Sequence, residues 1–210
     1  MYKALVVVDM QNDFIDGALG TDEAVAIVPG VARRIAESRG ELIVFTRDTH
    51  GEDYLDTPEG RKLPVVHCVE GTSGWELRTD VIKAWRDNRD TLVLDDDGKV
   101  VNKADGCEDC TVVPDAGQPS CTATVFDKPV FGSVDLVEFL KGRAAAGEVE
   151  SIELVGLCTD ICVVSNAIML KNTMPDVPVA VNAPLCAGVT PTSHTEALNT
   201  MKMCQVDIIE

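Results

Sequence analysis

The stretch Ser151-Ile152-Glu153-Leu154-Val155-Gly156-Leu157-Cys158-Thr159-Asp160-Ile161-Cys162-Val163-Val164 decides how this chain folds. It opens on an apolar, β-branched run, passes a glycine, and continues as a helical pattern over residues 161–173. A strand that feeds directly into a helix is half of a β-α unit. The same grammar recurs on either side. Ala4-Leu5-Val6-Val7-Val8, Leu42-Ile43-Val44-Phe45 and Val177-Pro178-Val179-Ala180-Val181 are further apolar runs, and helical periodicity fills 28–38, 75–86, 134–146 and 193–203. Strands apolar on both faces are parallel strands covered by helices. The expected fold is therefore α/β, a doubly wound, mostly parallel sheet with helices on both faces, in a Rossmann-like three-layer sandwich. Sites in such sheets gather at the carboxyl ends of strands. Asp9 ends the first run, Asp48 and His50 follow the second, and the Cys158 to Cys162 segment follows the run quoted above, so all three belong on one edge.

Composition narrows the function. With 210 residues, 45% of them apolar, the chain suits one domain spanning 1–210. The polar stretch 95–120, with Asp97-Gly98 as a turn, reads as an inserted hairpin or excursion, a lid or a subunit contact. Thirty-five acidic against 18 basic residues give a net charge of −17, which repels phosphate backbones and anionic lipid, and sets no obstacle before a small neutral ligand. No run approaches the roughly 20 apolar residues of a membrane span, and Met1 to Asp9 enters a strand with no signal-peptide pattern. A cytoplasmic protein with neither nucleic-acid nor membrane partners is expected. The 8 cysteines do not look like a disulfide framework in a chain of this length. Cys107, Cys110 and Cys121 form one cluster, read first as loop thiols, with a metal site or a redox disulfide as the alternatives; a structural zinc there lacks a fourth ligand nearby.

Three groups of residues could carry chemistry. Cys162 falls one turn into the helix after the strand, where Thr159 or Asp160 would cap. The helix dipole there tilts a thiol toward thiolate, and free N–H groups can hold an oxyanion. Asp9 ends an apolar strand, a costly place for an idle carboxylate, and Lys128 could pair with it. Asp48-Thr49-His50, with Glu59 and His67 after it, brings together two carboxylates and two of the chain's 3 histidines, a donor set suited to zinc, manganese or iron(II). Each has a bland counterpart: a packed thiol, a loop-capping carboxylate, a solvated lysine, polar loop residues without metal. His194 opens the last helix and reads as a local hydrogen-bonding group.

Taken together, Val8-Asp9-Met10-Gln11-Asn12-Asp13-Phe14, Arg47-Asp48-Thr49-His50, His67 with Gly71-Thr72-Ser73-Gly74, Asp127-Lys128 and Gly156-Leu157-Cys158-Thr159-Asp160-Ile161-Cys162-Val163 resemble the isochorismatase-like cysteine hydrolases, and within them the nicotinamidases. The likeness covers most of the chain, and the last motif is its most specific part. It implies Asp9, Lys128 and Cys162 as a catalytic triad, with Cys162 attacking and Asp9 moving protons. It implies Asp48, His50 and His67 as ligands of a divalent ion, Glu59 as a fourth, and a cis peptide at Leu157–Cys158 that helps aim the N–H groups of Cys158 and Cys162 at an oxyanion. Phe14, Leu63 and Phe131 match positions that wall the substrate ring. The implied activity is hydrolysis of nicotinamide to nicotinate and ammonia through a thioester, within pyridine nucleotide salvage, by a homo-oligomer. Other readings stand beside it: a family hydrolase of N-carbamoyl or ureido compounds, isochorismate hydrolysis, which relatives perform without the cysteine and metal histidines, or a non-catalytic member. The sequence departs from the nicotinamidase pattern at Thr49, where tryptophan is common, and in the stretch 95–120.

Overall fold

The computed structural model describes all residues but 96, 107–109 and 112–120. In chain order the elements are β1 (Tyr2–Val8), α1 (Asn12–Ile15), α2 (Asp22–Glu37), β2 (Leu42–Asp48), α3 (Thr79–Asp87), β3 (Leu92–Leu94), β4 (Val100–Asn102), α4 (Lys103–Gly106), β5 (Cys110–Thr111), β6 (Cys121–Thr122), β7 (Thr124–Lys128), α5 (Val134–Ala145), β8 (Val149–Leu157), α6 (Val164–Thr173), β9 (Val179–Ala187), α7 (Pro191–Met203) and β10 (Asp207–Ile209). The main sheet runs β10-β9-β8-β1-β2-β3-β4, and β7 lies beside β2. Its pairings are parallel except that of β3 with β4. The fold is the expected α/β sandwich.

Strand alternation builds the three layers. Leu5 and Val7 of β1, with Ile43 and Phe45 of β2, join one cluster with Val31 and Ile35 of α2 and Val81 and Trp85 of α3. Ala4, Val6 and Val8, with Leu42 and Val44, join the other with Leu136 and Leu140 of α5 and Ala167 and Leu170 of α6. Successive side chains point to opposite faces, so a run buried on both faces feeds two cores at once. Each such Val or Leu is worth about 1.5–3 kcal/mol relative to exposure, and a charge at Val6 would break the central strand.

The helix limits shift from expectation for local reasons. Helix α2 begins at Asp22 because Thr21 accepts the Ala24 N–H at 3.0 Å as an N-cap, and it continues through Pro29. The ring costs the bond to the Val25 carbonyl, but Val25 is exposed and water can take its place. Helix α3 begins at Thr79, leaving Trp75 in the preceding loop. Strands β3 and β4 pair around a turn in which Asp95 Oδ1 accepts the N–H groups of Asp97 at 3.1 Å and Lys99 at 2.8 Å, and Gly98 takes φ +73. The rest of the stretch 95–120 lies largely outside the described residues. So does Cys107, and of Cys110 and Cys121 only the backbone, paired in parallel between β5 and β6, is described. Among the described residues no helix is long and apolar enough to cross a membrane.

One glycine sets the active edge. Gly156 sits at φ +116, and a Cβ there would lie 2.1 Å from the Val8 carbonyl oxygen. Only glycine lets β8 approach β1 this closely, immediately before the cis Leu157–Cys158 peptide and beside Asp9.

Candidate active site

The ends of β1, β2, β7 and β8 converge on one ammonium group. Lys128 Nζ lies 2.7 Å from Asp9 Oδ2 and 3.4 Å from Asp48 Oδ1, and donates to Cys162 Sγ at 3.5 Å. Register brings the lysine there, since Lys128 pairs with Asp48 along β7 and β2. Asp9, at φ 45 just past β1, is held by Thr46, whose Oγ1 donates to Asp9 Oδ1 at 2.6 Å. Gln11 clamps the end of β2 by accepting the Asp48 N–H at 2.7 Å and donating to the Asp48 carbonyl at 2.8 Å.

Burial dominates the electrostatics. It raises the Asp9 carboxyl above the ordinary range; the Lys128 ammonium and Thr46 oppose this, and the facing Asp48 adds to it. The Cys162 thiol is pushed up by burial and by the Asp9 carboxylate, against Lys128. The expectation of a thiol tilted toward thiolate is therefore corrected: a helix-terminal dipole is outweighed by a dry environment with a neighbouring anion, which favours the thiol. Cys158 is also pushed up, to about 12, chiefly by burial and then by Asp160 and Asp9.

Beyond Lys128, Asp48, His50 and His67 place one ligand atom each within 4.8 Å of one another, all buried. His67 Nδ1 donates to the Val65 carbonyl at 2.8 Å, which leaves the lone pair on Nε2 directed at Asp48 Oδ2, 3.5 Å away. His50 Nε2 is buried without a hydrogen-bond partner among the described residues although it lies 3.0 Å from the same oxygen. An unpartnered buried nitrogen beside a carboxylate fits a shared divalent cation, and the N/O donor set suits zinc, manganese or iron(II). Burial works against ionisation of Asp48, but the Nε2 protons that His50 and His67 carry as imidazolium, with the Lys128 ammonium, outweigh it and hold its carboxyl below the usual range. Glu59 stands outside this tight group and lines the adjoining cavity with Asp48 and His67.

That cavity holds about 180 Å³, and Cys162, Cys158, Phe14, Leu63 and Phe131 all contribute to its walls. Phe14 packs on His67 with centroids 5.5 Å apart, whereas Leu63 and Phe131 stand at the half-open mouth. Cys162 belongs to a single π-helical turn, Thr159–Val163, that runs into α6, and the first N–H groups of a helix have no partner within it.

Neither Thr159 nor Asp160 caps this turn, contrary to expectation; Cys158 occupies the cap position without a side-chain bond. Asp160 instead accepts the Val189 N–H at 3.2 Å, and Thr159 Oγ1 hydrogen-bonds to His194 Nδ1 at 2.8 Å. Both polar groups are drawn to the start of α7 because it packs against the turn. His194 is thus not a local group: it ties α7 to the turn that carries Cys162, through Thr159 35 residues away.

The isochorismatase domain family matches residues 3–92 and 88–210. The chain belongs to the isochorismatase family. Among its isochorismatase relatives, the nicotinamidase/pyrazinamidase of Mycobacterium tuberculosis is 26% identical over 99% of this chain and 98% of its own. Two solved structures are similar over nearly the whole of both chains. The pyrazinamidase/nicotinamidase of Streptococcus mutans has a TM-score of 0.71 at 26% identity, covering 99% of each. The pyrazinamidase of Pyrococcus horikoshii in complex with zinc has a TM-score of 0.68 at 25% identity, covering 100% of this chain and 99% of that one.

Within this isochorismatase fold, sequence reasoning missed Thr46, Gln11 and the Arg47–Asp127 pair, which joins Nε to Oδ1 at 2.6 Å and Nη2 to Oδ2 at 2.9 Å. Thr46 and Arg47 carried one usable signal: two polar residues that follow the apolar run Leu42 to Phe45 in a strand buried at every position.

Proposed function

We propose that this protein is a metal-dependent cysteine amidohydrolase that converts nicotinamide to nicotinate and ammonia. The observation that carries the reading is the Lys128 ammonium, 2.7 Å from Asp9 and 3.5 Å from the sulfur of Cys162, a residue that lines a cavity together with Asp48 and His67. A cavity of about 180 Å³ suits a one-ring amide.

In this mechanism Asp9 takes the Cys162 proton as the sulfur attacks the amide carbon, and Lys128 steadies the anionic charge that moves between carboxylate and sulfur. The backbone N–H groups of Cys158 and Cys162 hold the oxyanion. The C–N bond breaks as Asp9 returns the proton to nitrogen, releasing ammonia and leaving a thioester. Asp9 then deprotonates water, which attacks the thioester carbon; the C–S bond breaks, the acid leaves, and the proton restores the thiol. Phe14, Leu63 and Phe131 flank the ring. Asp48, His50 and His67, with Glu59 as a further ligand, would hold zinc, manganese or iron(II), which supplies a Lewis acid for a ring nitrogen.

Ammonia release from nicotinamide, benzamide and an N-carbamoyl amine, measured on protein of known metal content, tests this. Nicotinamide is expected to exceed benzamide in kcat/KM by on the order of 100-fold, because benzamide lacks the ring nitrogen. Faster hydrolysis of the N-carbamoyl compound would replace the nicotinamide reading.

A further inference from the structure

The reactive face of β2 and β7 has a counterpart on its other side. Arg47 and Thr49 flank Asp48, and Asp127 precedes Lys128, so strand alternation directs Arg47 and Asp127 away from the Asp48–Lys128 pair. There four residues close a ring. Arg47 Nε and Nη2 donate to the two oxygens of Asp127 at 2.6 and 2.9 Å, and its guanidinium carbon lies 3.4 Å from the centroid of the Trp75 ring. Trp75 Nε1 donates to Thr49 Oγ1 at 2.8 Å, and the Thr49 hydroxyl donates to Asp127 Oδ1 at 3.1 Å. The Thr49 N–H also donates to the Lys128 carbonyl at 2.9 Å. Thr49 thus accepts an indole N–H from a tryptophan elsewhere in the chain.

Lys128 depends on this arrangement because β7 is a 5-residue strand whose pairing in the main sheet is with β2. A one-residue slip along β2 would turn Lys128 to the wrong face. A bidentate guanidinium–carboxylate pair, stacked on an indole, is among the few ion pairs at a partly solvated surface with the geometry to hold such a register. None of Arg47, Thr49, Trp75 and Asp127 contributes to the wall of the 180 Å³ cavity.

We propose that Arg47, Asp127, Thr49 and Trp75 form a positioning ring that fixes the Lys128 ammonium against Asp9 and Cys162, and so sets the reactivity of the thiol without touching substrate. The proposal rests on the assignment of Lys128 and Cys162 to catalysis, and its test has one arm that needs no substrate. That arm is the rate of Cys162 alkylation during brief iodoacetamide treatment, resolved by peptide mass spectrometry; the other is steady-state hydrolysis of nicotinamide. The variants are Asp127→Asn and Thr49→Val, with Glu138→Gln, an exposed ion-pair residue of α5, as control. Asp127→Asn is expected to slow both alkylation and kcat about 10-fold, with KM within about 2-fold and the folded circular dichroism spectrum kept, since small displacements of a reacting group cost rate before affinity. Thr49→Val is expected to slow both by about 3-fold, and it decides the matter if Asp127→Asn does not fold. Alkylation at the wild-type rate in every folded variant would overturn the proposal, as would a rise in KM with kcat unchanged. If wild-type protein fails to hydrolyse nicotinamide, the substrate reading fails alone and the alkylation arm still judges the ring.

Discussion

Two clusters in this molecule each give one cation two carboxylates, with opposite results. Arg34 of α2 reaches Glu41 at 2.7 Å and Glu153 of β8 at 2.8 Å, with Ser38 at 2.7 Å and Asn182 donating to Glu153 at 2.9 Å. Lys128 reaches Asp9 and Asp48 and has a thiol as its third neighbour. The guanidinium cluster keeps 16–20% of its charged side-chain surfaces in solvent, whereas those of the lysine cluster keep 0–6%. Burial raises Glu153, but Arg34 and Asn182 win and its carboxyl ends below the ordinary range. Burial raises Asp9, and Lys128 with Thr46 does not undo it. The forked, five-donor guanidinium satisfies its partners and makes a fixed charge. The ammonium, shared between two anions and a sulfur in a dry site, leaves a carboxylate able to take up and release a proton.

The largest effect that follows is on Cys162. Cys162→Ala is expected to lower turnover by at least about 10⁴-fold with the fold kept, because the attacking atom is gone and alanine fills most of its place. Cys158→Ala should keep most activity, since Cys158 contributes backbone. Kinetics beside circular dichroism checks both, and near-normal hydrolysis by Cys162→Ala would mean that the dry cluster is structural, like that of Arg34. A loss tied to metal content is expected at the metal donors: His50→Ala should purify with little metal and lose turnover in proportion. Elemental analysis gives the first readout and ammonia release the second. Full activity in chelated protein would sever the metal from the reaction.

How much of this was legible in the sequence follows from the same contrast. β1, β2, β8 and β9 are apolar toward both layers and could be read in outline, whereas β7, Thr-Val-Phe-Asp-Lys, is half-exposed and β3 and β10 span only 3 residues each. Asp9, Asp48 and Cys162 were legible because the strand-end rule puts carboxylates and a thiol where a buried polar group is costly. The pairing of Arg47 with Asp127 was not, because the partners stand 80 residues apart and nothing in the local order of either names the other. The thiol's environment was misjudged for a related reason: a helix-terminal dipole can be read from local order, but the burial that outweighs it comes from four strands meeting.

The smallest effect tests the other half of the comparison, that the Arg34 cluster is a matter of stability alone. Glu153 has a folded pKa below its ordinary value of 4.5, so its stabilisation is complete above 4.5 and is lost as pH falls through the lower, folded value. Glu153→Gln removes the charge but keeps the shape and one acceptor for Asn182, and Arg34 retains Glu41. At pH 7 the variant should therefore be less stable by only about 1 kcal/mol, discounted because the pair is partly solvated. As pH falls below 4.5 toward the lower, folded value, the gap between the two proteins should narrow. Net charge vanishes near the sequence pI of about 4.4, where heated protein would associate, so urea midpoints at pH 7 and pH 3 are the suitable readout. Nicotinamide turnover at pH 7 should be unchanged, because the Arg34 cluster does not line the active cavity. A gap as large at pH 3 as at pH 7 would show that Glu153 acts through packing rather than charge, and a loss of turnover would show that the two clusters are coupled through β8.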